Sequence, residues 1–426
     1  MNSIKRALLP IVFGCLATAV IAAELLEVKP TDPFFAKFEP KEGPRPAGLI
    51  LKKGDRLAIC GDSITEQKMY SRIMETYLTV CVPELEITVR QYGWGGETAP
   101  GFLARMTNDC LRFKPTIATT CYGMNDHGYR RYEESIGRTY RENSRAIVRA
   151  FKGNGTRVIQ GSPGCVSHNP EALNLNLCQL RNIGIDIAES ERVGFADVFW
   201  PMLTVGFAAQ QKYATNYYIA GADGVHPGWA GHLVMGYAFL KSFGLDGEIG
   251  TYTVDLKSKE AKVSKGHKLA AFEDGQLKIT STRYPFCATG SPTNDNSIRS
   301  GMALVPFNQE LNRLTLVVVN GSAPRYKISW GAESKTYSAE ALGHGINLAE
   351  DFVINPFSEA FGKVDDAVAA KQAYETHQIK EVLHGPEFKI AGKTVAAITE
   401  KVRTPLAADI KAKFVPVTHT IRIEAN

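Results

Sequence analysis

Four short blocks in this 426-residue chain carry the groups that acyl transfer needs: Gly61-Asp62-Ser63-Ile64, Gly93-Trp94-Gly95-Gly96-Glu97-Thr98, Gly123-Met124-Asn125-Asp126 and Asp223-Gly224-Val225-His226. A serine hydroxyl is a weak nucleophile until a neighbouring base takes its proton, so Ser63 calls for an imidazole, and His226 is the natural candidate. Asp223 stands three residues before His226, so one tight turn brings its carboxylate to the Nδ1 proton while Nε2 faces Ser63. That arrangement fixes the tautomer and stabilises the imidazolium. The tetrahedral intermediate needs donors aimed at its oxygen, and the backbone N–H groups of Ser63 and Gly96 with the Asn125 side-chain amide are the candidates. Glycine at 96 leaves room for close approach of a substrate carbonyl. Asp62 is expected to cap a turn, and Asp126 to accept hydrogen bonds at the start of the next segment.

Such groups act only if something holds them on one rim. β-like runs at Asp55–Cys60, Leu85–Gln91, Thr116–Tyr122, Thr156–Gln160 and Phe195–Phe199 alternate with helix-like stretches around Met69–Val80, Gly101–Phe113, Glu133–Lys152, Glu171–Glu191 and Trp229–Phe243. That alternation predicts a doubly wound α/β domain with a parallel five-stranded sheet. Open parallel sheets place their sites beyond the carboxyl ends of the strands, where the first three blocks fall, and the fourth directly precedes the last helix. Near Gly250 the pattern changes to β-rich runs such as Leu277–Thr280, Leu314–Val319 and His419–Ile423, interrupted by a helical stretch over Asp365–Leu383. The expected organisation is a leader over 1–23, a hydrolase-type domain over 24–249 with a Pro-rich N-terminal approach, and an accessory β-rich region over 250–426, with a helix that packs back on the first domain.

In composition and order the four blocks resemble those of the SGNH (GDSL-like) hydrolases, named for a serine, glycine, asparagine and histidine, here Ser63, Gly96, Asn125 and His226. The resemblance spans roughly residues 51–245. It implies a flavodoxin-like three-layer α/β/α fold and ester hydrolysis through a covalent acyl-enzyme, with neither metal nor cofactor. One departure is Gln91, where the second block often carries asparagine, which puts a supporting hydrogen bond in doubt. No Gly-x-Ser-x-Gly elbow is present, so the α/β-hydrolase alternative loses its main signature.

Nearby residues invite functional readings that compete with plain ones. Trp94, Tyr129 and His168 are candidates to contact substrate, the aromatic rings by stacking on a sugar face, although ordinary packing explains the two rings about as well. For His127, as for His168, a solvated or locally bonded histidine is the plainer reading, and His232, inside the final helix, reads as a core residue. The Gly-rich second block lacks the Lys-Ser/Thr ending of a phosphate loop and the Gly-x-Gly-x-x-Gly order of a dinucleotide site.

The wider chain sets bounds. Its formal charge of +5 includes two positive residues of the leader, Lys5 and Arg6, and no basic run is interleaved with aromatics, so nucleic acid is not an expected partner. Lys5-Arg6, an apolar run over Ala7–Val20 and the small residues before Glu24 read as a cleavable secretory signal, giving a periplasmic or extracellular protein. A lipid-modified Cys15 is the rival reading of the same segment. No later stretch is long and apolar enough for a stable membrane span. Seven cysteines follow the leader, an odd number that leaves at least one free or paired with another molecule, and none lies in a metal-binding spacing. The expected activity is hydrolysis of small acyl esters, acetyl foremost, on carbohydrate. The competing expectations are a lipase, lysophospholipase or thioesterase with the same site, and a non-catalytic glycan-binding protein on a hydrolase scaffold.

Overall fold

In the computed structural model, which describes residues 28–167 and 170–426, the five predicted strands form one parallel sheet in the order β2-β1-β3-β4-β5. The strands are β1 (Arg56–Gly61), β2 (Thr88–Gln91), β3 (Ile117–Cys121), β4 (Arg157–Gly161) and β5 (Gly194–Ala196). The leader with Cys15, and His168, lie outside the described residues. Side chains alternate between the two faces of a strand, and each face here has its own core. Leu57 and Ile59 of β1 join one buried cluster, whereas Ala58 and Cys60 join the other. Both faces are covered by helices: α1 (Tyr70–Val80), α2 (Ala99–Asp109), α3 (Glu134–Gly153), α4 (Pro170–Glu191), α5 (Phe199–Lys212) and α6 (Trp229–Ser242). The result is a three-layer α/β/α unit whose strand order reverses between β1 and β3, the crevice where doubly wound sheets bind ligands.

Two strand expectations were too long. The run at Leu85–Gln91 begins with a 3-10 turn at Pro83–Leu85, and Glu86 has a left-handed φ of 50°, so extended pairing starts only at Thr88. The run at Phe195–Phe199 ends at Ala196 because the next backbone N–H groups are already those of a helix start. The Ser162 hydroxyl accepts the N–H groups of Val198 and Phe199 at 2.9 Å each, and Asp197 accepts that of Trp200 at 3.2 Å. These acceptors satisfy first-turn donors of α5, a helix absent from the sequence-based expectation.

Beyond Gly250 the chain builds two sheets. One has four strands in the order β13-β10-β6-β7 and the other five antiparallel strands in the order β12-β11-β14-β9-β8. Here β6 is Glu248–Asp255, β7 Glu260–Val263, β8 His267–Glu273, β9 Gln276–Ser281, β10 Arg313–Val319, β11 Arg325–Trp330, β12 Glu333–Ser338, β13 Ile346–Asn347 and β14 Val417–Ala425. The three β-rich runs anticipated from sequence correspond to β9, β10 and β14. The helical stretch expected at Asp365–Leu383 starts earlier, as α7 (Ser358–His377), continues through a π-helical turn at Gln378–Val382, and is joined by a second long helix, α8 (Pro386–Lys413). That second helix was not anticipated. It carries Pro405 inside, a non-helical residue at Ala391, and Ile390, Ile398 and Val402 exposed, so its apolar residues do not form one buried stripe.

The α7/α8 pair closes an open sheet edge. The outer side of β2 offers unpaired backbone groups, which the helices meet with buried side chains: Lys371 Nζ and Arg403 Nη2 each donate to the Val89 carbonyl at 2.8 Å, and Glu375 Oε2 accepts the Gln91 N–H at 3.1 Å. The charges compensate one another, with Lys371 Nζ 2.7 Å from Glu375 and 3.1 Å from Glu75.

Candidate active site

Ser63 opens a four-residue helical turn, Ser63–Glu66, directly after β1. Asp62 caps it, accepting the Ile64 N–H at 3.0 Å, as its position suggested. Gly61 cannot be replaced without collision, because a Cβ there would lie 2.0 Å from the Thr65 hydroxyl. The second block packs onto this turn: the Trp94 N–H donates to the Gly61 carbonyl at 3.1 Å, and a Cβ on Gly93 would stand 2.2 Å from the Glu66 nitrogen. Close backbone contact of this kind brings the Gly95-Gly96 loop beside the turn that carries Ser63.

His226 arrives from the loop between α5 and α6. Its Nε2 is 2.8 Å from Ser63 Oγ and its Nδ1 2.7 Å from Asp223 Oδ2. Asp223 Oδ1 accepts the backbone N–H groups of Val225 and His226, both at 2.9 Å, so the carboxylate folds the turn that presents the ring. Burial pushes the Asp223 carboxyl up, but those N–H groups and the imidazole outweigh it and hold the acid below its ordinary range. Gly221 (φ 82°) and Gly224 (φ 83°) supply the left-handed residues, and a Cβ at Gly221 would sit 1.8 Å from the His226 carbonyl oxygen.

Asn125 follows β3. Its Nδ2 donates to the Glu97 carbonyl at 3.0 Å, and its Oδ1 accepts the Tyr129 hydroxyl at 3.2 Å, which fixes the orientation of the amide and ties the third block to the second. Gly96, with φ 70°, lies next to Glu97 in a conformation that L side chains resist. Among the described residues, neither the Ser63 nor the Gly96 N–H is engaged by another backbone group. Ser63, His226 and Asp223 are thus joined in one hydrogen-bonded relay, and Asn125 is bonded to the loop that carries Gly96.

A buried polar base supports them. Glu97 accepts Arg105 Nε and Nη2 at 2.5 and 2.6 Å and the Tyr122 hydroxyl at 3.0 Å. Burial raises the Glu97 pKa despite the arginine, and the pKa values of the neighbouring buried carboxyls rise as well, Asp62 to about 7 and Asp126 to about 6. Asp126 accepts the Ala99 N–H at 2.9 Å, so it serves the first turn of α2 and not the segment after it, a correction to the expectation. Sequence reasoning included Glu97 in a motif but missed its partnership with Arg105. The visible signal was the Arg105–Asp109 spacing of four residues, whose ion pair is 3.2 Å.

The remaining candidates divide. Tyr129 is exposed at the rim and has a left-handed φ of 52°. Trp94 is half-buried and packed, with the Arg105 guanidinium 4.9 Å and the Lys380 ammonium 5.5 Å from its ring and the His384 ring edge-on at 4.9 Å. His127 is buried, bonds the Met124 carbonyl through Nδ1, and is pushed toward the neutral form by burial. His232 is a core residue: burial lowers its pKa to about 3, Nδ1 accepts the Tyr70 N–H at 3.3 Å, and Nε2 faces Gln67 Oε1 at 3.1 Å. Gln91 resolves the doubt attached to it, since its Oε1 accepts the Gly93 N–H and its Nε2 donates to Thr376 Oγ1 at 2.5 Å. All seven described cysteines are buried free thiols. No described group of three or more His, Cys, Asp or Glu residues could hold a metal, and no described helix is long and apolar enough to cross a membrane.

With that geometry in hand, residues 59–234 match the family model of the GDSL-like lipase/acylhydrolases. Over 222 residues the chain is 26% identical to an acetylxylan esterase of Geobacillus stearothermophilus, a stretch that is 46% of this chain and 98% of that protein. Among solved structures, a gut microbial diltiazem-metabolizing enzyme matches with a TM-score of 0.70 at 21% identity, covering 90% of this chain and all (100%) of that one, so the likeness of fold extends over the accessory region. The crystal structure of Axe2, an acetylxylan esterase from Geobacillus stearothermophilus, matches at 21% identity with a TM-score of 0.40, over 46% of this chain and 96% of that one.

Proposed function

From its place among the SGNH (GDSL-like) hydrolases, as a carboxylic ester hydrolase, we propose that this protein is an exported serine esterase that removes small acyl groups, acetyl foremost, from carbohydrate. The observation that carries the proposal is the relay Ser63 Oγ to His226 Nε2 at 2.8 Å and His226 Nδ1 to Asp223 at 2.7 Å. Ser63 Oγ attacks the ester carbonyl while His226 takes its proton. The oxyanion is received by the N–H groups of Ser63 and Gly96 and the Asn125 amide. Collapse expels the sugar hydroxyl, which takes the proton back from His226. Water, deprotonated by the same imidazole, then attacks the acyl-enzyme and releases the acid.

The substrate class rests on three supports. The relative with the matching hydrolase stretch is an acetylxylan esterase. His226 and Asp223 are accessible, with 38% and 56% of their side chains exposed. An accessible pair suits an ester on a bulky hydrophilic alcohol, and Tyr129 at the rim offers a ring for a sugar face. The basic and apolar leader supports export. The test is the rate of acetate release from acetylated xylo-oligosaccharides, beside a series of chromogenic esters of increasing acyl length. Rates should fall as the acyl chain lengthens. Equal or faster turnover of long chains would favour the lipase or thioesterase reading.

A further inference from the structure

The loop that carries Asp223 and His226 runs from Tyr213 to Gly228, a long connection without a strand, in which Tyr217, Ile219 and Ala220 are buried. Within its own domain, Ser167 donates its N–H to the Gly224 carbonyl at 3.0 Å and accepts the Ala220 N–H through Oγ at 3.1 Å, and Gln67 Nε2 donates to the Pro227 carbonyl at 3.4 Å. The accessory region holds the loop on both sides of the Asp223–His226 turn. Asp295 Oδ2 accepts the Tyr218 N–H at 2.9 Å, and the buried Tyr217 hydroxyl meets Ser300 Oγ at 2.7 Å. On the other side of the turn α6 begins at Trp229 behind Gly228, a residue with no side chain to cap the helix. The missing acceptors come from far along the chain: Asn296 Oδ1, 67 residues on, takes the Trp229 N–H at 3.3 Å, and the Asp295 carbonyl takes the Ala230 N–H at 3.1 Å. Gly228 is needed for this approach, since a Cβ there would lie 3.0 Å from both acceptors.

We propose that Asp295 and Asn296 are positioning residues for the His226 base, clamping its loop on both sides of the turn, so that the accessory region is part of the catalytic apparatus and not a separable targeting module. Capping the first N–H groups of α6 from a distant segment sets where that helix starts, and His226 stands three residues before it. Small displacements of a base from its nucleophile are costly to rate while leaving substrate binding largely intact. The inference rests on the esterase reading, and its test separates the two.

In the full-length protein, Asp295→Ala and Asn296→Ala are compared with Asp295→Asn and Asn296→Asp, which each keep an acceptor oxygen. The alanine variants should lose about 10- to 100-fold in kcat on an acetyl ester with KM changed less than about twofold. The acceptor-keeping variants should restore most of that loss. The clamp is overturned if both alanine variants keep kcat within about twofold of the parent, or if Asp295→Asn and Asn296→Asp fall as far as alanine does. Failure of the parent protein itself to be phosphonylated by an organophosphonate at Ser63 would instead count against the esterase reading.

Discussion

Asp223 binds His226 twice: Oδ2 lies 2.7 Å from the ring Nδ1, and Oδ1 accepts the backbone N–H of the same residue at 2.9 Å. One carboxylate thus sets both the path of the turn and the tautomer of the ring. Asp223→Asn keeps the size of the side chain, but its amide can offer an N–H where Nδ1 needs an acceptor. The expected loss is on the order of 10⁴ in kcat with little change in KM, read by steady-state kinetics on an acetyl ester.

Asn125, the proposed oxyanion donor, has its amide orientation fixed from two sides, by Glu97 and Tyr129. Asn125→Ala should lower kcat by about 100- to 1,000-fold. Tyr129→Phe removes only one of the two restraints on the amide, so its kcat should fall far less. Parallel kinetics on a small acetyl ester, which has no sugar to stack on Tyr129, separate the two effects.

Lys371 is almost fully buried between Glu375 and Glu75 and bonds the outer edge of β2. Lys371→Met leaves the buried Glu75 without its cation and Glu375 with Arg403 alone, a change that costs about 3–5 kcal/mol. Urea unfolding monitored by tryptophan fluorescence should show the lower midpoint.

Asp62 titrates at about 7 because burial raises it, with Asp126 and Glu97 nearby adding to the rise. An unfolded aspartate titrates near ~3.9, so between roughly pH 4 and 7 the folded state holds the extra proton, and stability from this group declines as pH rises through that window. Asp62→Asn retains an oxygen for the Ile64 N–H and removes the titration. Its Tm should therefore fall less steeply than that of the parent over the same interval, as measured by differential scanning calorimetry in matched buffers.

Much of the site was legible because each chemical block sits close to an element with a clear period. Ser63 and Asn125 directly follow apolar strand runs, and His226 precedes a nearly continuous apolar helix, so local pattern and loop chemistry led to the same rim. The partners that stabilise the rim were not legible. Gln91 meets Thr376, and Lys380 pairs with Glu66 at 2.6 Å, across 285 and 314 residues respectively, separations at which no local spacing carries information. The helix α8 was missed for a related reason: its buried face is made largely of polar and charged contacts such as Arg403 and Glu400, and periodicity detects apolar stripes. At α5 the apolar residues run on from β5 with only Asp197 between them, and the change of structure is set by Ser162 and Asp197 acting as caps.

Acyl transfer at this site depends most directly on the reactivity of one hydroxyl. The protein is treated with an organophosphonate at neutral pH, and the modified residue is located by peptide mass spectrometry in the parent and in His226→Ala. Stoichiometric modification of Ser63 in the parent, lost when the imidazole is removed, is the predicted result. An unmodified Ser63 in active parent protein, or equally rapid modification without His226, would contradict it.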